Sequence, residues 1–256
     1  MNLSDNQLAR LANPTFPRAS VFDPEFQFDV MMGPNVLWLT EWLCAALDLR
    51  PGMRVLDLGC GKAASSIFLA KVFGVTVWAA DLWVSPGQNL ARIAKAGLLD
   101  RVFPVQIEAH ALPFAESYFD VILACDAYHY FGTDDLYAGY IHKFLADKGR
   151  LAIVVPGLQS ELDGDPPEHL RPYWDWQFGS FHTPEWWRRH WSKTDRLDVE
   201  VADSLPDGWR HWADWSELCG EVGAGRNPEG GKREAEMLRV DAGRTFGFTR
   251  VVASRR

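Results

Sequence analysis

Apolar residues in this chain follow two spacings, and the two alternate. Short, nearly continuous apolar runs occur at MRVLDLG (53–59), VTVWAAD (75–81), RVFPVQIE (101–108), YFDVILAC (118–125) and GRLAIVVPG (149–157). Between them lie stretches of helical spacing: KAASSIFLAKVFG (62–74), PGQNLARIAKAG (86–97) and TDDLYAGYIHKFLA (133–146). A strand that is apolar along its whole length is covered on both faces, so the pattern predicts a mostly parallel, doubly wound α/β sheet. Ahead of it, NVLWLTEWLCAAL (35–47) predicts a helix ending before Pro51-Gly52, and prolines 14, 17 and 24 keep residues 1–30 irregular or in short helices.

The texture changes after Pro156. LQSELDGDPPEHL (158–170) reads as a polar connector, and TPEWWRRHWSKT (183–194) opens as a capped helix with Thr183 as N-cap and Pro184 in the first helical position. RLDVEVAD (196–203) and RTFGFTRVVAS (244–254) predict a sixth and a seventh strand. The segment between them is far too long for a hairpin loop, and DGWRHWADWSEL and GGKREAEMLRV within it predict an inserted helical cap. Eight of the twelve tryptophans fall between Trp174 and Trp215. Most are expected to bind the insertion to the sheet, and a minority to line an aromatic pocket.

Composition narrows the function. The net charge of −8, without a long basic run, gives a nucleic-acid backbone little to hold. No apolar stretch is long enough for a membrane span, and Asp5, Asn6 and Arg10 near the start make a secretory signal unexpected. Cys44, Cys60, Cys125 and Cys219 are widely spaced, so neither a metal site nor a disulfide is expected, and a reducing cytoplasm suits them.

The first run ends in Gly59-Cys60-Gly61-Lys62-Ala63-Ala64, a strand–turn–helix glycine pattern, with Asp81 at the distance expected of a ribose-binding acid. Asp57, two residues before the first glycine, argues against a pyrophosphate, which it would repel, and favours an ammonium or sulfonium. The helix start beyond it favours a carboxylate. S-adenosylmethionine carries all three groups and no phosphate.

VLDLGCGKA, AADLW and EAHALPFAESYFDVILACDAYHYF, in this order, resemble motifs of the class I S-adenosylmethionine-dependent methyltransferases, over about residues 31–156. The likeness is to the small-molecule branch with ubiquinone/menaquinone- and sterol-type enzymes. It implies a seven-stranded Rossmann-like sheet in a single domain, 1–256. An N-terminal helical segment (1–50) would precede a cofactor-binding half (51–156) and an acceptor-side segment (157–256). By the resemblance, Asp57, Gly59 and Gly61 would line the methionine end, with Cys125 flanking it, and Asp81 would hold the ribose. Leu82 and Trp83 would pack beside the adenine, Glu108 would accept from its amino group, and Ala109 would offer a backbone N–H. Gly33, in MMGPN, would belong to a segment closing over the cofactor. S-adenosylhomocysteine would be the product.

Methyl transfer from a sulfonium needs alignment and exclusion of water, and a base only where the acceptor must lose a proton. CDAYHYF lies beyond the fourth strand's C-terminal end, where open α/β sheets place ligands, and offers Asp126 and His129 as the catalytic candidates. Tyr128, His182, Trp186 and Trp187 are candidates for the acceptor pocket, each with a structural role as the alternative. The expected partner is a small-molecule acceptor, and a homodimer is compatible with the sequence. A nucleotide-dependent oxidoreductase, or a non-catalytic S-adenosylmethionine-binding protein, is the rival reading.

Overall fold

The structure is a computed structural model describing residues 3–225 and 227–256. Seven strands form one sheet: β1 (Arg54–Leu58), β2 (Thr76–Asp81), β3 (Val102–Gln106), β4 (Phe119–Cys125), β5 (Leu145–Leu158), β6 (Leu197–Ser204) and β7 (Phe246–Arg255). Their order is β3-β2-β1-β4-β5-β7-β6, with β7 antiparallel to both neighbours and the other pairings parallel. The order reverses between β1 and β4, and such a reversal opens a crevice beyond the strand C-termini.

Strand residues alternate between two cores. Val55, Val77, Leu123 and Val154 face one side, while Leu56, Ala80, Ile122 and Ile153 face the other. The first side is covered by α3 (Val36–Cys44), α4 (Ala64–Phe73), α5 (Pro86–Lys95), α8 (Gly208–Val222) and α9 (Pro228–Asp241), together with the N-terminal helices α1 (Asp5–Leu11) and α2 (Pro24–Asp29). The second is covered by α6 (Tyr137–Ile141) and α7 (Pro184–Trp191).

Local chemistry sets the ends of these helices. Gly74 closes α4 in the left-handed conformation at φ 68°. Thr183 Oγ1 accepts from the Trp186 N–H at 3.1 Å to cap α7, with Pro184 in its first turn. The insertion between β6 and β7 is helical, as its spacing predicted, and comprises α8 and α9.

One predicted helix is much shorter than its pattern. Of residues 133–146 only Tyr137–Ile141 is α-helical, followed by a 3-10 turn at His142–Phe144. The Ser117 and Tyr118 N–H groups donate to the carbonyls of Lys143 (2.8 Å) and Phe144 (3.0 Å), drawing the chain into β5. Sheet pairing here overrides helical spacing. Among the described residues no helix is long and apolar enough to cross a membrane.

Candidate active site

Two cavities adjoin at the C-terminal end of the sheet. The first, about 310 Å³, opens over the ends of β1, β2 and β4. The second, about 350 Å³, lies between the 168–181 segment and α8 and α9. They share the walls formed by Met32, Gly33, Pro34, Asp126 and Tyr130.

The floor of the first cavity is the glycine turn. Gly59 has φ 77°, and a Cβ there would stand 2.4 Å from the Ala127 Cβ, so two loops meet at a contact only glycine permits. The amides of Gly59 and Cys60 both donate to the Ala80 carbonyl, at 2.8 and 3.0 Å, and the Gly61 amide donates to Asp81 Oδ2 at 2.8 Å. The donors that a phosphate-binding turn would aim at its ligand are therefore engaged within the protein. Lys62 Nζ donates to the Met31 carbonyl (3.3 Å) and the Asp29 carbonyl, securing the strap at residues 29–34. Ala63 (φ 61°) stands at the N-cap of α4 and gives no side-chain cap, so no side chain competes for the helix's first-turn N–H groups.

Asp81 ends β2 with both oxygens in the wall. Its Oδ1 accepts from the Trp83 and Val84 amides, each at 2.8 Å, in addition to the Gly61 bond on Oδ2. An ionised carboxyl has about four acceptor positions, so roughly one remains for a ligand hydroxyl. Leu82 and the largely exposed Trp83 form the rim, and Trp83 meets Tyr130 edge-to-face at 5.7 Å. Glu108 lies on the wall but turns back on His110, accepting from its amide at 2.9 Å and pairing with its Nδ1 at 2.8 Å. Ala109 and Cys125 also line this cavity, the latter with its Sγ 3.4 Å from Thr40 Oγ1.

Asp57 does not reach either cavity. It is wholly buried on the α4 side of β1, where Oδ2 accepts from Ser65 and Ser66 Oγ at 2.5 Å each and Oδ1 has no partner. The strand's pleat turns its side chain beneath the helix instead of toward the crevice. Burial raises its pKa to about 6, against the lowering effect of the two serines. The direct contact with a ligand expected of Asp57 is thus replaced by support of the first turn of α4.

Asp126 stands where the cavities join. Its φ is 55°, unusual outside glycine, and its amide donates to the Val154 carbonyl at 2.8 Å. A Cβ on Gly33 would lie 2.9 Å from Asp126 Oδ2, so the strap passes directly against this carboxyl. Burial, then the nearby Glu234, pushes its pKa up to about 8. His129 faces only the second cavity; it is 2% exposed, its Nδ1 has no partner, and burial lowers its pKa to about 3.

The expected acceptor-pocket residues lie elsewhere. Tyr128 and Trp187 are fully buried in the second core, where their rings meet at 5.7 Å. Trp186 is stacked between His182 (3.6 Å) and His190 (4.4 Å), and His182 Nδ1 pairs with Glu161 at 2.9 Å. The cause is topological: α7 packs on the face of the sheet opposite α8 and α9, and the second cavity belongs to the latter side.

Sequence reasoning missed Tyr173, Phe178, Phe181, Trp212, Glu234 and Met237, which line the second cavity. A signal existed in α9. Glu234 lies three and four positions before the buried Met237 and Leu238, so it shares their inward face.

Known methyltransferases resemble this chain in sequence and in fold. Residues 55–149 match a protein-family model described as a methyltransferase domain. The chain resembles known methyltransferases in sequence over this stretch. It is similar to the methyltransferase GfsG of Streptomyces halstedii, 35% identical over 128 residues, which cover 49% of this chain and 45% of that one. A second relative is the ubiquinone/menaquinone biosynthesis C-methyltransferase UbiE of Paraburkholderia xenovorans, 28% identical over 166 residues, 63% of each chain. The chain thus spans about half the length of the curated relatives it matches. Among solved structures, phosphoethanolamine N-methyltransferase 2 of Haemonchus contortus, in complex with S-adenosyl-L-methionine, superposes with a TM-score of 0.72. The identity is 18%, covering 99% of this chain and 60% of that one, so the likeness is one of fold.

Proposed function

We propose that the protein transfers a methyl group from S-adenosylmethionine to a small organic acceptor, with the first cavity holding the cofactor and the second the acceptor. The observation that carries this reading is the glycine turn, whose amides are already bonded to Ala80 and Asp81 in a cavity that still offers carboxylates. A pyrophosphate would meet the Asp81 and Asp126 carboxylates there, whereas a cation finds partners in them. The residues present fit S-adenosylmethionine: the cavity is of small-ligand size, the free position on Asp81 suits a ribose hydroxyl, and the uncapped start of α4 suits a carboxylate.

Gly59, Gly61 and Cys125 would lie along the methionine portion, with Gly33 above it. Leu82, Trp83 and Ala109 would flank the adenine, and Glu108 would reach its amino group after leaving His110. When bound, the sulfonium supplies a methyl group activated for in-line displacement. The chain's own contribution is alignment across the shared wall, exclusion of water by the strap, and a proton acceptor at that wall. Asp126 is the residue for the last task, because of the two catalytic candidates, Asp126 and His129, it is the one that faces both cavities. His129, neutral at physiological pH, would orient the acceptor. The four buried thiols suit a cytoplasmic setting.

Calorimetry with S-adenosylmethionine and NADH, followed by labelled-methyl transfer to fractionated extract, tests the reading; tight NADH binding with no S-adenosylmethionine binding would refute it. Once an acceptor is in hand, Asp126→Asn should lower kcat by about 10²–10⁴-fold and abolish an ascending limb of activity near or below pH 8. His129→Gln should leave that limb in place. A limb that survives Asp126→Asn would assign the base elsewhere.

A further inference from the structure

The second cavity has a consistent chemical character. Its aromatic wall comes from Tyr130, Phe178, Phe181 and Trp212, with Phe178 and Phe181 5.3 Å apart and Phe181 edge-on to His129 at 5.4 Å. Three carboxyls, from Asp126, Asp175 and Glu234, also line it. The one cation among its described lining residues, Arg233, is held at the rim, donating to the Pro172 carbonyl at 2.6 Å and lying over the Tyr173 ring at 5.9 Å. His129 also lines this cavity, its ring 2% exposed and its Nδ1 without a partner in the protein.

Aromatic faces attract cations, and carboxyls brought together out of water are each harder to ionise unless a cation joins them. We propose that the acceptor is a cationic amine, seated against these rings by the Asp126 and Glu234 carboxyls. The proposal rests on the methyl-transfer reading above and names its substrate class. Burial raises the pKa of both carboxyls and keeps His129 neutral, and an ammonium beside the carboxyls would favour their ionised forms. Glu234 accepts from Ser216 Oγ at 2.5 Å, which fixes its carboxyl on the wall.

The transfer balances. The ammonium gives one proton to the Asp126 carboxylate, freeing the nitrogen lone pair. That pair forms the new N–CH3 bond as the S–CH3 bond breaks, its electrons returning to sulfur as a thioether. Asp126 then releases its proton to water. The net products are a methylated ammonium, S-adenosylhomocysteine and one proton.

The test uses the full chain saturated with S-adenosylhomocysteine and three probes of one shape, phenethylamine, 2-phenylethanol and phenylacetate, titrated by calorimetry at pH 7.5. The amine should bind roughly tenfold or more tighter than the alcohol, and the carboxylate more weakly than either. Glu234→Gln should lose roughly tenfold in amine affinity and keep its S-adenosylhomocysteine affinity, which also reports that it is folded. With S-adenosylmethionine, mass spectrometry should find the methyl on nitrogen. Equal binding of the three probes, no binding of any, or unchanged amine affinity in Glu234→Gln overturns the amine assignment alone. Failure of S-adenosylhomocysteine to bind overturns the methyl-transfer reading and this one with it. The wild-type comparison across probes stands without the variant should Glu234→Gln misfold.

Discussion

Burial holds the Asp57 carboxyl at a pKa of about 6, above its ordinary 3.8, with the Asp81 charge adding to the effect and Ser65 and Ser66 opposing it. Between those two values the native state binds more protons than the unfolded chain. Stability from this group is therefore fully present below about pH 4 and is lost as pH rises through 6. The shift corresponds to about 3 kcal/mol. In urea titrations from pH 3.5 to 7, Asp57→Asn should flatten the fall in stability across that window; an unchanged slope would mean that Asp57 ionises normally. Asp81 accepts hydrogen bonds from three amides. Asp81→Ala should weaken S-adenosylmethionine binding by the roughly 1.5–3 kcal/mol of a bond to a charged group and also lower stability, since it frees the glycine turn. Wild-type affinity in calorimetry would remove Asp81 from the ribose. The chain position of both acids was legible in the sequence, at the ends of apolar runs. Which face Asp57 takes was not, because strand pleat resolves only when register is known.

At the scale of elements, the strands and most helices were legible because their apolar spacing and end signals agree, as at Gly74 and Thr183. The 133–146 segment was not, since its spacing is helical while its carbonyls are claimed by residues 117 and 118. Helix α7 carries the larger lesson. PEWWRRHW advertises aromatic residues, but nothing in it says which face of the sheet will receive them. The structure puts Trp187 and Trp191 wholly inside the second core, away from both cavities. Trp187→Ala should therefore cost about 3–5 kcal/mol of stability, read by chemical denaturation, and leave S-adenosylmethionine affinity unchanged in the folded fraction. A stable variant with altered binding would return Trp187 to the ligand site.

Across the whole molecule, the sheet's first half walls one cavity and the later chain walls most of the other. Order reversal at β1/β4 puts the crevice where both halves can reach it, and the strap at residues 29–34 is the seam. It is fixed from three sides: Lys62 Nζ to the Met31 carbonyl at 3.3 Å, Trp215 Nε1 to the Gly33 carbonyl at 2.9 Å, and Arg92 to Asp29 at 3.5 Å. Among the described residues only the seam and the Asp126–Tyr130 loop touch both spaces, so the two binding events should be separable by mutation elsewhere. Met237→Ala, in the second cavity, should raise the acceptor KM and leave cofactor affinity within about twofold, while Leu82→Ala should do the reverse; residues this distant with no shared partner combine additively to within about 0.5 kcal/mol. Gly33→Ala should break the pattern, since its added methyl would sit 2.9 Å from Asp126 Oδ2 and disturb both cavities at once. A double-mutant cycle in which Met237→Ala and Leu82→Ala couple as strongly as either couples to Gly33→Ala would mean that the cavities act as one site.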